Sequence, residues 1–277
     1  MVLARINEEA LTAPTAMALA FSKRSFLVAL AASHLRALAA TPTALRVGME
    51  LAYPPFEMAD PQGKPTGLSV DIATKLAAHL KRPLEIQNLP FDGLIPSLRT
   101  GKIDLILSSM TATPERAKIV AFSDPYLRTG LAVLAGKQVA LQDGEPLDRK
   151  GLIIAVKQGT TGHLFCRGFT RAKVLVLDRE SACVAEVVQG KASIFIYDQL
   201  SILKHARKNP DTTRSLLAPL RVEEWAIALK KDDSSLLSSV NAFLASFKAN
   251  GGFEELADRW LPEEKRAFKE AGIPFVL

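Results

Sequence analysis

Four apolar runs in this chain each end in polar groups that could hold a ligand. Ile103-Asp104-Leu105-Ile106-Leu107 stops at Ser108 and Ser109, with Thr111 and Arg116 close behind. Arg116 is a permanently charged, planar fork whose geometry matches a carboxylate. Leu152 to Val156 leads into Gln158-Gly159-Thr160-Thr161, which reads as a helix start, where main-chain amides and a hydroxyl favour an anion. Ser193 to Tyr197 ends in Asp198, whose carboxylate suits an ammonium group. Leu45 to Met49 ends in Glu50 and is followed by Tyr53 and Phe56. Serine and threonine hydroxyls can accept the remaining ammonium protons, and Tyr53 and Phe91 offer flat apolar faces. Taken together these groups describe a pocket for a zwitterionic α-amino acid. Each alone has a plainer role, Arg116 as a solvated helix arginine and Thr160 or Asp198 as helix caps. Their joint placement carries the reading.

Such groups must be positioned by an α/β framework, because ligands of open α/β sheets bind beyond the carboxyl ends of the strands. The pattern supplies one. Strands are expected at Leu45–Met49, Leu84–Asn88, Ile103–Leu107, Leu152–Val156, Val174–Leu177, Ser193–Tyr197 and Trp225–Leu229. Between them, Val70, Ala73, Leu76, Ala77 and Leu80 recur at helical spacing, and a short helix is expected from Asp92 to Leu98. Further helices are expected after Gly159, over Ser181–Gln189, through Leu236 to Phe247, and through Phe253 to Trp260. The near-continuous apolarity of the strands suits a sheet buried on both faces. The pattern appears twice, which predicts two similar halves in close contact.

Composition agrees with a globular protein. The 277 residues are 48% hydrophobic and 23% charged, with a formal charge of +6. The basic residues are scattered and aromatics are 6%, so no basic stripe with interleaved rings marks a nucleic-acid partner. Lys23-Arg24, the apolar Ser25–Ala32 and the small-residue Ala37-Leu38-Ala39 follow the order of a secretory signal peptide, predicted over residues 1–39. Neither cysteine, Cys166 or Cys183, lies near that cleavage site, so no lipid anchor is expected, and an exported monomer in the periplasm is. A disulfide between them and two buried thiols are both open readings. The histidines, His34, His79, His163 and His205, are far apart, and no metal site or cofactor motif is present. His163 and Cys166 stand one helical turn apart, but no third group orients them as a nucleophile and base.

The chain resembles the polar amino-acid branch of the bacterial extracellular solute-binding proteins, family 3, which serve ATP-driven importers. The resemblance runs from about Leu45 to Trp260. It rests on "YPPFE" (53–57), "GLSVDIATKLA" (67–77), "GLIPSLRTGKIDLILSSMTATPERAKIVAFSDPY" (93–126), "VKQGTTG" (156–162) and "GGFEELADRW" (251–260). It implies an α/β, two-lobed, periplasmic-binding-protein-like (type II) fold with a ligand cleft between the lobes. Lobe 1 would comprise 44–130 and 224–277 and lobe 2 would comprise 131–223, with crossings near Thr129–Leu134 and Val222–Ala228. By the same resemblance Arg116, Thr111 and Thr161 would hold the ligand α-carboxylate. Asp198 and the Ser109 position would take the ammonium, Tyr53 and Phe91 would sandwich the side chain, and Glu50 and Ser108 would meet its tip. One departure, Gly190-Lys191-Ala192-Ser193 where relatives usually carry an acid, falls at a position read as structural.

Glu50 is the acidic side chain this reading can place at the tip, which favours a basic amino acid for the importer, with glutamine or another polar amino acid as the alternative. Lys157 could also reach the pocket and would oppose a cation. A membrane permease is the implied partner. The fold also hosts a dehydratase acting on prephenate, whose family branch would have a glutamate where this chain has Asp198. An aspartate suits an ammonium better, so a binding protein is expected rather than an enzyme. A sensor domain is a third reading, and no signalling domain is attached to support it.

Overall fold

The computed structural model describes residues 43–270 and 272; the expected signal peptide lies outside them. The first strand, β1 (Leu45–Met49), is followed by a small antiparallel sheet of β2 (Ala52–Tyr53), β3 (Glu57–Ala59) and β4 (Pro65–Thr66). Helix α1 (Leu68–His79), β5 (Leu84–Asn88), α2 (Phe91–Arg99), β6 (Leu105–Ile106), α3 (Pro114–Ala117) and the long β7 (Ala121–Gly136) come next. The chain then runs through β8 (Ile153–Lys157), α4 (Thr161–Cys166), β9 (Lys173–Leu177), α5 (Glu180–Val188), β10 (Ile194–Asp198) and α6 (Gln199–Lys208). A second long strand, β11 (Thr213–Leu229), precedes α7 (Ser234–Ala249), α8 (Gly252–Trp260) and α9 (Pro262–Glu270).

Eight strands form one continuous ladder in the order β5-β1-β6-β11-β7-β10-β8-β9. The short apolar strands pair in parallel, β1 with β5 and β6, and β8 with β9 and β10. The inner strands β1, β6, β8 and β10 are buried on both faces, as their apolarity requires, whereas the edge strands β5 and β9 are half-exposed. The two long strands join the halves. Residues 121–127 of β7 pair with 225–229 of β11, whereas residues 131–135 of β7 pair with β10. The register between β7 and β11 shifts between Leu216 and Arg221. Separate apolar cores follow. Leu45, Ile72, Phe56 and Trp225 belong to the first half, and Ile154, Val156, Ile194 and Ile196 to the second. The result is a two-lobed α/β fold with a cleft beside the crossing strands.

The small strands β2–β4, the helices α3, α6 and α9 and the full length of β7 and β11 are not among the expected elements. The run Ile103–Leu107 pairs only over Leu105–Ile106, because Asp104 turns to ligate Arg46 Nη2 at 2.6 Å and Arg82 Nη2 at 2.8 Å. The strand expected at Trp225–Leu229 is the last third of β11. Its earlier residues are of mixed exposure and carry Arg214, Arg221 and Glu224 beside the buried Glu223, so no apolar run betrays them. Helix α9 is strongly polar and was not anticipated.

Cys166 on α4 and Cys183 on α5 are buried free thiols packed into different apolar clusters. Burial pushes both up to about 12. They are inert apolar side chains here, and Cys166 has no thiolate for His163 to activate.

Candidate functional site

All nine residues singled out from the sequence line one pocket. Glu50 and Tyr53 come from the chain just after β1, and Phe91 opens α2. Ser108, Ser109 and Thr111 lie between β6 and α3, and Arg116 lies in α3. Thr161 opens α4 and Asp198 ends β10. The same wall holds Glu57, Thr160, Tyr197, Glu223 and Trp225, which the sequence reading did not single out.

Arg116 is placed by a capped turn. Thr113 Oγ1 accepts from the Arg116 amide at 3.2 Å, and Pro114 pre-sets the first helical residue. The guanidinium is almost wholly buried. Its Nη1 donates to the Thr111 carbonyl at 2.7 Å and its Nη2 to the Gly159 carbonyl at 3.0 Å, so it ties the two sides of the cleft. Phe91 lies under it, 5.5 Å from ring centre to guanidinium carbon. Burial lowers its pKa to about 10, with Glu223 pulling the other way, so it stays charged at neutral pH.

Asp198 does two jobs in the chain. Its carboxylate caps α6 by accepting from the Ser201 amide at 3.0 Å, and it faces the pocket, itself buried. Burial raises its pKa from 3.8 to about 7; the Ser201 amide opposes the rise and Glu180 adds to it. The Tyr53 hydroxyl lies near Asp198, buried, without closing a hydrogen bond to any protein group. The Tyr53 ring stacks on Phe56 at 5.3 Å, and Trp225 meets both edge-on. This gives the pocket a rigid aromatic wall.

At the opposite end Glu50 is paired with the Lys157 ammonium. Lys157 is buried and sits 5.6 Å from the Phe91 ring centre, behind the wall rather than in it. Glu57 accepts from Ser69 Oγ at 2.6 Å, Ser109 Oγ at 3.1 Å and Ser108 Oγ at 3.4 Å. Burial nevertheless raises Glu57 from 4.5 to about 8, against the pull of those three serines. Ser109 makes its contact from a left-handed backbone, φ 47°. Such strain in a non-glycine residue persists only where surroundings hold it, most often at functional sites. Thr111 Oγ1 and Thr161 Oγ1 both donate to Glu223, at 3.1 and 3.2 Å. So the serines of the opening motif serve first to seat a buried acid, a role the strand pattern could not reveal. Glu57 ends the quoted "YPPFE" and Glu223 lies in the expected crossing segment; those were the available signals.

The Thr161 side of the pocket depends on a glycine. A Cβ on Gly162 would lie 2.4 Å from the Ile196 carbonyl oxygen of β10, the strand that ends in Asp198. Gly162→Ala is therefore expected to cost about 1–3 kcal/mol of stability, since backbone must move. It should also weaken ligand binding, by pushing Thr161 away from Asp198. Chemical denaturation with titration calorimetry checks both, and unchanged values would refute the close-approach argument.

Opposed charges in a pocket beside two crossing strands define a two-lobed solute-capturing protein. The chain belongs to the bacterial extracellular solute-binding proteins, family 3, whose model matches residues 45–263. It is 33% identical to the L-arginine-binding protein of Pseudomonas aeruginosa over 229 residues, 78% of this chain and 87% of that one. It is similar to a putative binding component of an ABC transporter from Wolinella succinogenes complexed with lysine, at a TM-score of 0.71 and 37% identity. That match covers 78% of this chain and 95% of the other. An ancestral arginine-binding protein bound to arginine matches at a TM-score of 0.73 and 31% identity, covering 80% and 99%. Among the described residues no helix is long and apolar enough to cross a membrane, and no group of three or more acids, histidines or cysteines could hold a metal.

Proposed function

We propose that this protein captures a free polar L-α-amino acid with a cationic side chain and delivers it to the permease of an ATP-driven importer. The carrying observation is the lining: among the described residues one guanidinium, Arg116, faces carboxyl groups at both ends of the pocket, Asp198 and Glu50, with Glu57 and Glu223 beside them. Arg116 with Thr111 and Thr161 takes the α-carboxylate; Asp198 and Ser109 take the α-ammonium. Tyr53 and Phe91 flank the side chain. Glu50 and Ser108 meet its tip, and Glu57 lies behind the two serines. The arginine- and lysine-binding relatives support this choice. The Glu50–Lys157 pair bears on it too. A cationic tip must share Glu50 with Lys157 or replace it, and charges in a desolvated site discriminate strongly. The lobes comprise 44–130 with 224–277, and 131–223, and they close on the ligand. The chain is exported to the periplasm by its first 39 residues and acts there as a monomer.

A thermal-shift screen with the common amino acids and prephenate tests this, because a ligand that binds only the folded state raises the melting temperature. Arginine, lysine or histidine should give the rises. Rises confined to glutamine would keep the binding protein and discard the cationic ligand. A shift with prephenate alone would point to the dehydratase, and silence throughout would remove the pocket assignment. Glu50→Gln should weaken cationic ligands about tenfold more than neutral ones, the worth of roughly one exposed-to-buried charge pair. Equal losses would detach Glu50 from specificity.

A further inference from the structure

Glu223 holds the very hydroxyls that the proposed ligand needs. Its Oε2 alone accepts from both Thr111 Oγ1, at 3.1 Å, and Thr161 Oγ1, at 3.2 Å. Thr111 lies on the β6–α3 side of the cleft and Thr161 on the α4 side, so one carboxylate oxygen links the two sides. Arg116, from the same pair of sides, lies close enough to feel its charge but spends two donors on main-chain carbonyls. Glu223 is almost wholly buried and projects from β11, where its backbone pairs with Thr129 of β7. Its other oxygen, Oε1, meets Arg221 Nη2 at 3.1 Å, and the Arg221 side chain is 41% exposed.

We infer that Glu223 is a resident stand-in for the ligand carboxylate: it latches the empty cleft shut, and ligand binding exchanges one carboxylate for the other. This rests on the amino-acid reading of the site above. Two carboxylates cannot share one hydroxyl pair beside a single buried guanidinium, because like charges at that range repel. The incoming carboxylate therefore releases Glu223 from Thr111 and Thr161. Arg221 keeps hold of Oε1 and gives the displaced side chain a partner on the solvent side. Two consequences follow physically. The empty protein spends part of its time closed without ligand, and that self-occupied fraction lowers the apparent affinity in proportion. A latch engaged in nine molecules of ten lowers it about tenfold.

The test measures L-arginine binding to the purified protein by titration calorimetry, with small-angle scattering of the ligand-free form. Glu223→Ala should bind L-arginine about tenfold more tightly and be more open without ligand. Glu223→Gln keeps the shape and removes the charge, guards against a folding defect, and should also bind more tightly. Weaker binding by both variants would make Glu223 a direct ligand contact and overturn the latch; unchanged affinity would overturn it as well. Arg116→Ala separates the two layers of argument. If it abolishes binding while the Glu223 variants behave as wild type, the latch alone fails. If it binds L-arginine normally, the carboxylate site itself is misplaced.

Discussion

Replacing Arg116 with alanine is expected to weaken amino-acid binding by about a hundredfold or more. Truncating one partner of a buried, hydrogen-bonded charge pair typically costs 2–5 kcal/mol, and each 1.4 kcal/mol is about a factor of ten. The loss should fall at the high end here. The guanidinium is buried against Phe91 and, among the described residues, is the one cation lining the pocket. Alanine would also leave the Thr111 and Gly159 carbonyls without their donor. Arg116→Lys is therefore the companion variant. It keeps the charge but not the planar fork, so it should retain the fold and still bind at least about tenfold more weakly than wild type. Titration calorimetry with the ligand found in the screen measures both. Micromolar affinity retained by Arg116→Ala would sink the assignment of the carboxylate site.

Ligand affinity is expected to fall about tenfold for each pH unit below about 7, and to level off above it. In the empty pocket burial holds Asp198 up at about 7, so below that value it carries a proton. An α-ammonium group needs the ionised form as its partner. Binding therefore expels a proton at low pH, and linkage makes each lost unit of pH cost a factor of ten. Stability of the empty protein runs the other way. Between 3.8 and about 7 the folded Asp198 holds a proton that the unfolded chain has released, and Glu57 does so from 4.5 to about 8. The contribution of these two groups is fully present below pH 4 and is lost as pH rises through 7 and 8. The rise in melting temperature on adding ligand should thus be larger at pH 7.5 than at pH 5.5. Asp198→Asn should flatten the affinity profile at a uniformly low value. A wild-type affinity that is constant from pH 5 to 8 would take Asp198 out of ligand binding.

Much of this was legible in one dimension. Apolar runs that ended in Ser108, Thr161, Asp198 and Glu50 marked the strand ends, because a buried run must stop where polar groups begin. Local rules placed one cap as well: Asp198 at the start of α6. The α/β alternation then put all nine residues at one edge of the sheet, and one pocket contains them. The length of β11 was not legible, because its early residues mix polar and apolar side chains without alternation, include Pro219 and copy the pattern of a loop.

What only the tertiary structure decided is which charges neutralise one another. Glu50 and Lys157 lie 107 residues apart in the sequence, and only folding makes them a pair. Ser108 and Ser109, read from the sequence as ligand contacts, also seat Glu57. Glu223, which no sequence pattern marked, closes on Thr111 and Thr161 from a crossing strand. Periodicity and capping depend on neighbours a few residues apart, so sequence alone determines where polar groups emerge from the sheet. Electrostatic pairing depends on distance and desolvation between residues that only folding brings together, and for that reason it remained hidden until the chain was seen in three dimensions.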